Sequence, residues 1–289
     1  MAKSNGFFGL RRGSTKSFTF QVNNGKQITK DRVIEVKNPR TPKQMRQRAY
    51  TGTIGRAYSV LSKICDHSFE NVAYGFESMN VFKKLNYKIL LEEVSTSSAR
   101  ISSFDGDAVC NKYQISKGSL PKFIVFHNGT TEDDTTFSFP YVLSEKTADN
   151  LTLADVFDYD ETKKGFIYTL AFFVESLAGT SMLKYIRFDS SKVNMESKAS
   201  TWRSLSGVEH NLDPSETITF GVSTGMITVK ISYGTNGTDG FIVGAGCIVS
   251  AQIDGKWLRS DCVMDASIVS NVDSALNSYP TGTEYLLNG

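Results

Sequence analysis

The sequence predicts a mainly β protein with an N-terminal α-helical hairpin, in which an extended basic arm comes first and one or two β-sandwich-like units come last. Two observations lead to this fold class. Apolar residues recur at helical spacing only between residues 41 and 95. Beyond residue 95, short strand-like runs alternate with turn signals at intervals of about ten residues, a spacing typical of β-sandwiches.

The first 40 residues lack helical periodicity, so we interpret them as an extended arm. Within the arm, Asn23-Asn24-Gly25-Lys26 predicts a two-residue hairpin turn, because Asn-Gly readily adopts the positive φ angles of such a turn. Extended runs at 17–22 and 32–36 lie on the two sides of this turn. We expect these two runs to pair with each other.

A helix is predicted to begin at Thr41-Pro42-Lys43-Gln44. Thr41 is a suitable N-cap, Pro42 suits the first helical position, and Gln44 completes a capping box. Apolar residues then recur at helical spacing as far as residue 65, and a second apolar stripe covers 69–89. These stripes predict a helical hairpin over 41–95 that turns around His67.

Runs rich in β-branched and aromatic residues predict the strands of the remaining chain. The serine-rich run 190–206 resembles a linker, which divides a β-rich unit at 96–195 from a C-terminal β-sandwich or meander at 196–289. One larger domain is the alternative. The predicted strands cover 122–126, 165–174, 182–188, 216–220, 226–233, 241–253 and 256–264.

The overall charge of +2 conceals a strong asymmetry along the chain. Residues 1–63 hold 14 Lys and Arg against two acids, a net charge of +12, whereas the remaining residues hold 18 bases and 28 acids, a net charge of −10. Such a division often marks an arm that binds an acidic partner, which is either nucleic acid or the acidic part of a neighbouring copy. A solvated basic face is the alternative. The predicted partner-binding residues lie in the arm and at the helix start: Arg11, Arg12, Lys16, Lys30, Arg32, Arg40, Lys43, Arg46 and Arg48.

No metal or cofactor site is expected from the cysteine and histidine spacing. Cys65, Cys110, Cys247 and Cys262 form no Cys-x-x-Cys pair, and we expect free buried thiols, with Cys247 and Cys262 on neighbouring strands. None of the three histidines has a second histidine at ligand spacing. The acidic runs 132–134 and 155–161 follow no EF-hand pattern, so solvated loops are favoured over calcium sites.

One motif resembles a hydrolase nucleophile. Gly221-Val222-Ser223-Thr224-Gly225 fits Gly-x-Ser-x-Gly, but that motif requires a strand before the serine and a helix after it. Strand-like runs lie on both sides here, which predicts a hairpin turn. We find no catalytic constellation and expect a protein that is not an enzyme.

The sequence also predicts no association with a membrane. No apolar run approaches the 18 or so residues of a transmembrane helix, and the first residues carry no apolar stretch of signal-peptide length. We therefore expect the protein to stay in the compartment where it is made.

The pattern Asn38-Pro39-Arg40-Thr41-Pro42-Lys43-Gln44, preceded by spaced glycines and followed by Arg48, resembles an uncharacterised family of Bacteroidota chromosomes and their phages. Members of that family open with a glycine-rich basic segment and an Asn-Pro-[Arg/Lys]-Thr-x-x-Gln element before a helix. The run from Ser78 to Asn86 is similar to the second helical segment of the family. The resemblance covers roughly residues 6–90 and brings no activity with it. It implies a phage setting and synthesis in the bacterial cytoplasm.

These expectations combine into a structural protein of a phage particle, associated with the capsid or the tail. Its partners would be copies of itself and other virion proteins. Two alternatives stay open: a nucleic-acid-binding accessory protein that uses the basic arm, and a host- or glycan-binding β-sandwich in which Trp202, Trp257 and the tyrosines supply stacking surfaces.

Overall fold

The structure is a computed structural model that describes residues 2–4, 13–23, 26–31, 42–96, 112–130, 135–142, 145–176, 181–232 and 240–266. In these ranges the protein is mainly β, with several antiparallel sheets and few helices. The chain divides into two units, Met1–Gln44 and Met45–Gly289, and each is described by itself.

The first unit contains a small antiparallel sheet. Its strands pair in the order 2–4, 26–31, 18–23 and 13–14, and Asn23 lies opposite Lys26, which confirms the predicted hairpin. The second strand of the hairpin occupies 26–31 rather than 32–36, and residues 32–36 lie outside the described ranges. The described part of the predicted arm is therefore folded as a sheet. Its strands are β1 (Ala2–Ser4), β2 (Gly13–Ser14), β3 (Phe18–Asn23) and β4 (Lys26–Asp31).

Two long helices follow, α1 (Pro42–Cys65) and α2 (Phe76–Thr96). The first matches the predicted bounds within one residue. The second begins at Phe76 rather than at residue 69, because Asn71 and Gly75 have φ angles of 59° and 75° and left-handed residues cannot continue a right-handed helix. The rings of Tyr58 on α1 and Phe82 on α2 lie 5.5 Å apart.

The remaining elements of the second unit are mostly strands. The sequence patterns did not predict the strands at 114–116, 135–142, 208–210 and 265–266 or the short helix at 153–157. The strand predicted at 122–126 was wrong, because residues 122–125 are not in a strand and the observed strand covers Phe126–Thr130. The elements are β5 (Gln114–Ser116), β6 (Phe126–Thr130), β7 (Thr135–Val142), α3 (Leu153–Phe157), β8 (Ile167–Ser176), β9 (Ser181–Asp189), β10 (Val208–His210), β11 (Thr217–Ser223), β12 (Met226–Ser232), β13 (Gly240–Ile253), β14 (Lys256–Arg259), β15 (Cys262–Val263) and β16 (Asp265–Ala266), with 3-10 turns at Glu161–Lys163 and Ala199–Ser204.

A larger sheet with the order β10-β9-β8-β13-β14 forms the centre of the second unit, and β16 pairs with β13. A second sheet has the order β11-β12-β7-β6, and β5 pairs with β15. Strand β8 is buried on both faces. Successive side chains of a strand point to opposite sides of the sheet, so alternate residues of β8 face different cores. Leu170 and Phe172 belong to a core shared with the second sheet, whereas Ala171 and Phe173 belong to a core shared with α1 and α2.

A β-bulge in β13 keeps its apolar residues on the correct faces. The register with β8 shifts between Ile242 and Gly244, so an extra residue enters the strand there. Because one added residue reverses the alternation, Ile242 faces the same core as Ala245 and Cys247. The long pairing of β8 with β13 joins residues 167–176 to 240–250.

The run 190–206 is not a linker, which corrects the predicted boundary at residue 195. Val193, Met195, Ala199 and Trp202 from this run are buried in the core between the two sheets. The residues on its two sides belong to the same large sheet, since β8 and β9 pair with each other and β8 pairs with β13. This serine-rich segment is rich in turns, but it packs against the core because its few apolar side chains are directed inward.

Among the described residues, no helix is long and apolar enough to cross a membrane.

Candidate functional site

The structure describes only some of the predicted partner-binding residues. Lys16 and Lys30 are exposed in the first unit. Lys43, Arg46 and Arg48 lie in the first turns of α1. The other four predicted residues lie outside the described ranges: Arg11, Arg12, Arg32 and Arg40.

The Gly-x-Ser-x-Gly motif is a β-hairpin, which confirms the prediction. Ser223 lies opposite Met226 at the ends of β11 and β12, and Thr224 and Gly225 form the two-residue turn. Their φ angles of 52° and 75° are both positive, as a type I′ hairpin requires. No helix follows the serine, so the geometry of a nucleophile elbow does not arise here.

The histidines lie in three separate places. His127 on β6 has its Nε2 atom 2.8 Å from the Ile242 carbonyl oxygen, and its backbone amide donates to Asp265. The ring of His210 contacts Trp202, and burial, followed by the nearby Arg203, lowers the pKa of this histidine. In the part of the chain that the structure describes, no group of three or more His, Cys, Asp or Glu is arranged to hold a metal ion.

Most carboxylates of the acidic run 155–161 pair with lysines or cap a helix. The acidic run 132–134 lies outside the described ranges. Lys163 pairs with Asp158 at 2.9 Å and with Asp160 at 3.4 Å. Asp155 belongs to a capping box with Thr152 at the start of α3, and its Oδ2 atom lies 2.7 Å from Lys146 Nζ. Burial raises the pKa of Asp155, but hydrogen bonds from Lys146 and Thr152 outweigh burial and lower the pKa below its ordinary value.

We expect Asp155→Asn to lower the free energy of unfolding by about 1 kcal/mol at pH 7, because a capping interaction typically contributes that much. The pKa of Asp155 is lower in the folded protein than the value of about 3.9 in an unfolded chain. Its stabilisation is therefore present above about pH 4 and is lost as the pH falls through the lowered pKa. Urea titrations of both proteins from pH 7 to pH 2.5 measure this, with Asp149→Asn, an exposed carboxylate, as the control. A difference that persists undiminished at pH 2.5 would contradict the assignment.

Three of the four cysteines are free and buried, as predicted, and Cys110 lies outside the described ranges. Burial raises the pKa of Cys65 and Cys247 well above the ordinary value, and it raises the pKa of Cys262 to about 12. Because the thiolate is the reactive form of cysteine, these side chains behave as core residues.

The two tryptophans have different environments. Trp202 is buried in the core, and its Nε1 atom donates to the Ile218 carbonyl oxygen at 2.8 Å. Trp257 on β14 is 42% exposed. The stacking surface expected from tryptophan is therefore present at Trp257 alone of the two.

Trp257 lines a cavity of about 220 Å³ in the second unit. The cavity lies where the segment between α1 and α2 meets β8, β9, β13 and β14, so residues distant in sequence meet there. We call this cavity the arginine cleft. Its lining residues are Ile64, His67, Ser68, Tyr74, Ile167, Thr169, Arg187, Ile248, Ser250, Trp257 and Arg259.

Arg259 is the most unusual residue of the arginine cleft. Its side chain is only 8% exposed, and its guanidinium carbon lies 4.7 Å from the centre of the Trp257 ring. Nε donates to the His67 carbonyl oxygen at 2.5 Å, and Nη1 donates to the Leu258 carbonyl oxygen at 3.0 Å. These acceptors are neutral. Among the ion pairs of the described residues, none includes Arg259.

The second guanidinium belongs to Arg187 on β9. Its Nη1 atom lies 2.9 Å from a carboxylate oxygen of Glu209, and its Nε atom donates to the Thr169 hydroxyl at 3.3 Å. Burial lowers the pKa of Arg259 from its ordinary value; Tyr74 and Glu70 raise it, and Arg187 lowers it. Arginine stays charged throughout the physiological range. The cleft lining therefore carries two positive charges and no acidic side chain.

The segment after β5 and the turn before α2 hold the cleft in place. The ring of His67 contacts Tyr74 edge to face at 3.8 Å, and Tyr74 is 62% exposed. Glu70 accepts hydrogen bonds from the Ser119 backbone amide at 2.8 Å and from the Arg259 amide at 3.4 Å. An aromatic wall beside fixed guanidinium groups is suited to binding an anion.

Sequence reasoning named Trp257 and the tyrosines as stacking surfaces, but it did not connect Tyr74 with Arg187 and Arg259. These residues lie in different elements, so no spacing motif connects them. Their one local signal was the arginine within each apolar strand, and strands commonly expose such residues to solvent. No protein-family model matches the chain, and no curated protein sequence matches it.

Proposed function

We propose that this protein is a non-enzymatic structural component of a phage particle, associated with the capsid or the tail, that assembles through its basic N-terminal region. The observation that carries the proposal is the separation of charge within one chain, +12 in residues 1–63 and −10 in the rest. Opposite potentials on two surfaces steer association and select the register of the contact. The acidic body of a neighbouring copy, or of another virion protein, is the natural recipient.

The first unit has the features of a surface that binds a partner. Lys16 and Lys30 are exposed, and Phe18 is 45% exposed on a small sheet. A basic surface that also exposes an aromatic side chain combines charge steering with apolar contact, and aromatic residues are enriched in interfaces. The resemblance of residues 6–90 to a family of Bacteroidota chromosomes and phages supports the virion setting.

The body supports a scaffold role. Two antiparallel sheets share one core, which makes the body sandwich-like, and helices cover the opposite face of the larger sheet. Folds of this kind hold binding surfaces in a fixed relation.

Charge reversal in the first unit tests the proposal. We expect Lys16→Glu/Lys30→Glu to weaken self-association by about tenfold or more, which corresponds to roughly 1.4 kcal/mol. Sedimentation velocity over a concentration series at low and high salt measures the association. The control is Lys164→Glu/Lys198→Glu, which makes the same charge change at exposed positions of the body. A wild-type protein that stays monomeric at all concentrations and salts, alone and with other virion proteins, would refute the assembly role.

A DNA titration separates assembly from nucleic-acid binding by the same basic region. Contacts to several phosphates produce a steep loss of affinity with added salt. Fluorescence anisotropy with single- and double-stranded DNA at about 50 mM salt measures this binding. If the basic region bound DNA, Lys16→Glu/Lys30→Glu would abolish a DNA affinity that falls with added salt. We expect no such affinity in the wild-type protein. Such binding in a protein that does not self-associate would favour the nucleic-acid alternative.

A further inference from the structure

We propose that the arginine cleft binds a carboxylate-bearing sugar residue. Arg259 and Arg187 hold the carboxylate, and the sugar ring packs against Trp257 and Tyr74. The inference identifies a place and a ligand charge for glycan binding, and it does not depend on the assembly role of the first unit.

The charge of the cleft favours an anionic ligand. A buried charge is costly unless it is paired, and Arg259 is 92% buried with neutral carbonyl oxygens as the acceptors of its guanidinium. Arg187 lines the same cavity, and no acidic residue does so. An anionic ligand would offset both the burial of Arg259 and its repulsion from Arg187.

The number and the shape of the charged groups in the cleft favour a carboxylate over a phosphate. Glu209 already lies 2.9 Å from Arg187 and pairs with that charge. Among the described ion pairs none includes Arg259, although the nearby Glu70 raises its pKa, so the cleft suits one further negative charge rather than two. A planar guanidinium also matches the geometry of a planar carboxylate.

Two exposed aromatic side chains of the cleft form the surface for the sugar ring. Trp257 is 42% exposed and Tyr74 is 62% exposed, although large aromatic side chains are usually more buried. Arg259 lies against the Trp257 ring, and His67 contacts Tyr74, so both aromatic groups have fixed neighbours. An exposed aromatic surface held in a fixed orientation presents an apolar plane to the carbon face of a sugar ring.

The size of the cleft and a hydroxyl group in its lining suit a single sugar ring. The cavity of about 220 Å³ is smaller than the roughly 300–1,000 Å³ of pockets for drug-sized ligands, so it suits a single ring. Ser250 adds a partly exposed hydroxyl group to the lining, whereas the hydroxyl groups of Ser68 and Thr169 are buried and hydrogen-bonded within the protein. A hydroxyl such as that of Ser250 is suited to a hydrogen bond with a polyhydroxylated ligand.

The binding experiment uses the full chain with D-glucuronate and N-acetylneuraminate as probes. Titration calorimetry and tryptophan fluorescence measure affinity at constant ionic strength. We expect both acidic sugars to bind about tenfold to hundredfold more tightly than glucose, because a hydrogen bond to a charged group typically contributes that range. We also expect inorganic phosphate to bind more weakly than either acidic sugar.

Variants assign the binding to the cleft. Arg187→Gln and Tyr74→Ala change partly exposed side chains and should each weaken binding by about tenfold, while the folded structure is retained. Arg259→Gln should abolish the preference for acidic sugars over glucose. Phe76→Ala is the matched control, because Phe76 is 71% exposed two residues from Tyr74 and does not line the cavity. Circular dichroism and urea titration verify that each variant is folded.

Several results would overturn this inference and leave the assembly role intact. Equal affinity for glucose and glucuronate would show that charge is not recognised. Tighter binding of phosphate would exclude a carboxylate site. Loss of glucuronate binding in Phe76→Ala but not in Tyr74→Ala would place the site elsewhere. Absence of binding by either acidic sugar at millimolar concentrations would refute the proposal.

Discussion

Lys184→Met is expected to lower the free energy of unfolding by about 3–5 kcal/mol, because it leaves a buried carboxylate without its cation. Lys184 Nζ lies 2.8 Å from Glu216 Oε1, and the two side chains are only 7% and 5% exposed. Asp213 also approaches Lys184 at 3.1 Å, but Asp213 is 69% exposed and solvent screens that contact. Urea denaturation at pH 7 measures the loss.

A double-variant cycle isolates the pair from the rest of the core. Glu216→Gln keeps an acceptor for the Asp213 backbone amide, which donates to Glu216 at 2.8 Å. We expect Lys184→Met/Glu216→Gln to cost less than the sum of the two single changes, since removal of both charges leaves neither buried alone. Simple additivity would show that the two charges do not interact.

An exposed ion pair provides the matched control for this experiment. Lys163 pairs with Asp158 and Asp160, whose side chains are 67% and 55% exposed. Lys163→Met makes the same chemical change as Lys184→Met and is expected to cost less than about 1 kcal/mol. Equal losses for the two lysines would show that burial does not govern the effect.

Gly118→Ala has the second large expected effect, a loss of about 2–3 kcal/mol in the free energy of unfolding, as for other overpacked sites. A Cβ atom at Gly118 would overlap the Arg259 carbonyl oxygen and lie 2.5 Å from Glu70 Oε2. The carbonyl cannot move freely, because the Leu120 amide donates to it at 2.8 Å. The segment from Lys117 to Leu120 joins the chain after α1 to the end of β14 by bridges at both of its ends.

The control for Gly118→Ala is Gly52→Ala in α1. No atom outside the helix lies within 4 Å of a Cβ at Gly52, so only helix propensity changes there. Alanine should stabilise that position by up to about 1 kcal/mol. Thermal and urea denaturation of the two variants should therefore differ in sign. A Gly118→Ala protein as stable as the wild type would show that the two segments are not tightly joined.

Local sequence chemistry predicted the elements that depend on a few neighbouring residues. The Asn-Gly and Thr-Gly turns were placed correctly, because glycine readily adopts the positive φ angle of a hairpin turn and strand-like runs lie on both sides of each turn. The Pro42 helix start was placed correctly for the same local reason. The division of the β body failed, because serine content describes exposure on average and says nothing about the inward direction of Trp202.

The amino-acid order alone specified a basic beginning, an acidic remainder, two helices and a series of antiparallel strands, since charge and periodicity are properties of consecutive residues. The pairing of β8 with β13, the burial of Lys184 beside Glu216 and the meeting of Arg187 with Arg259 depend on folding. The residues of these pairs lie 32 to 83 positions apart in the sequence and come together only when the sheets form and pack. No local pattern encodes that distance, because the contacts form to bury two apolar faces of one central sheet.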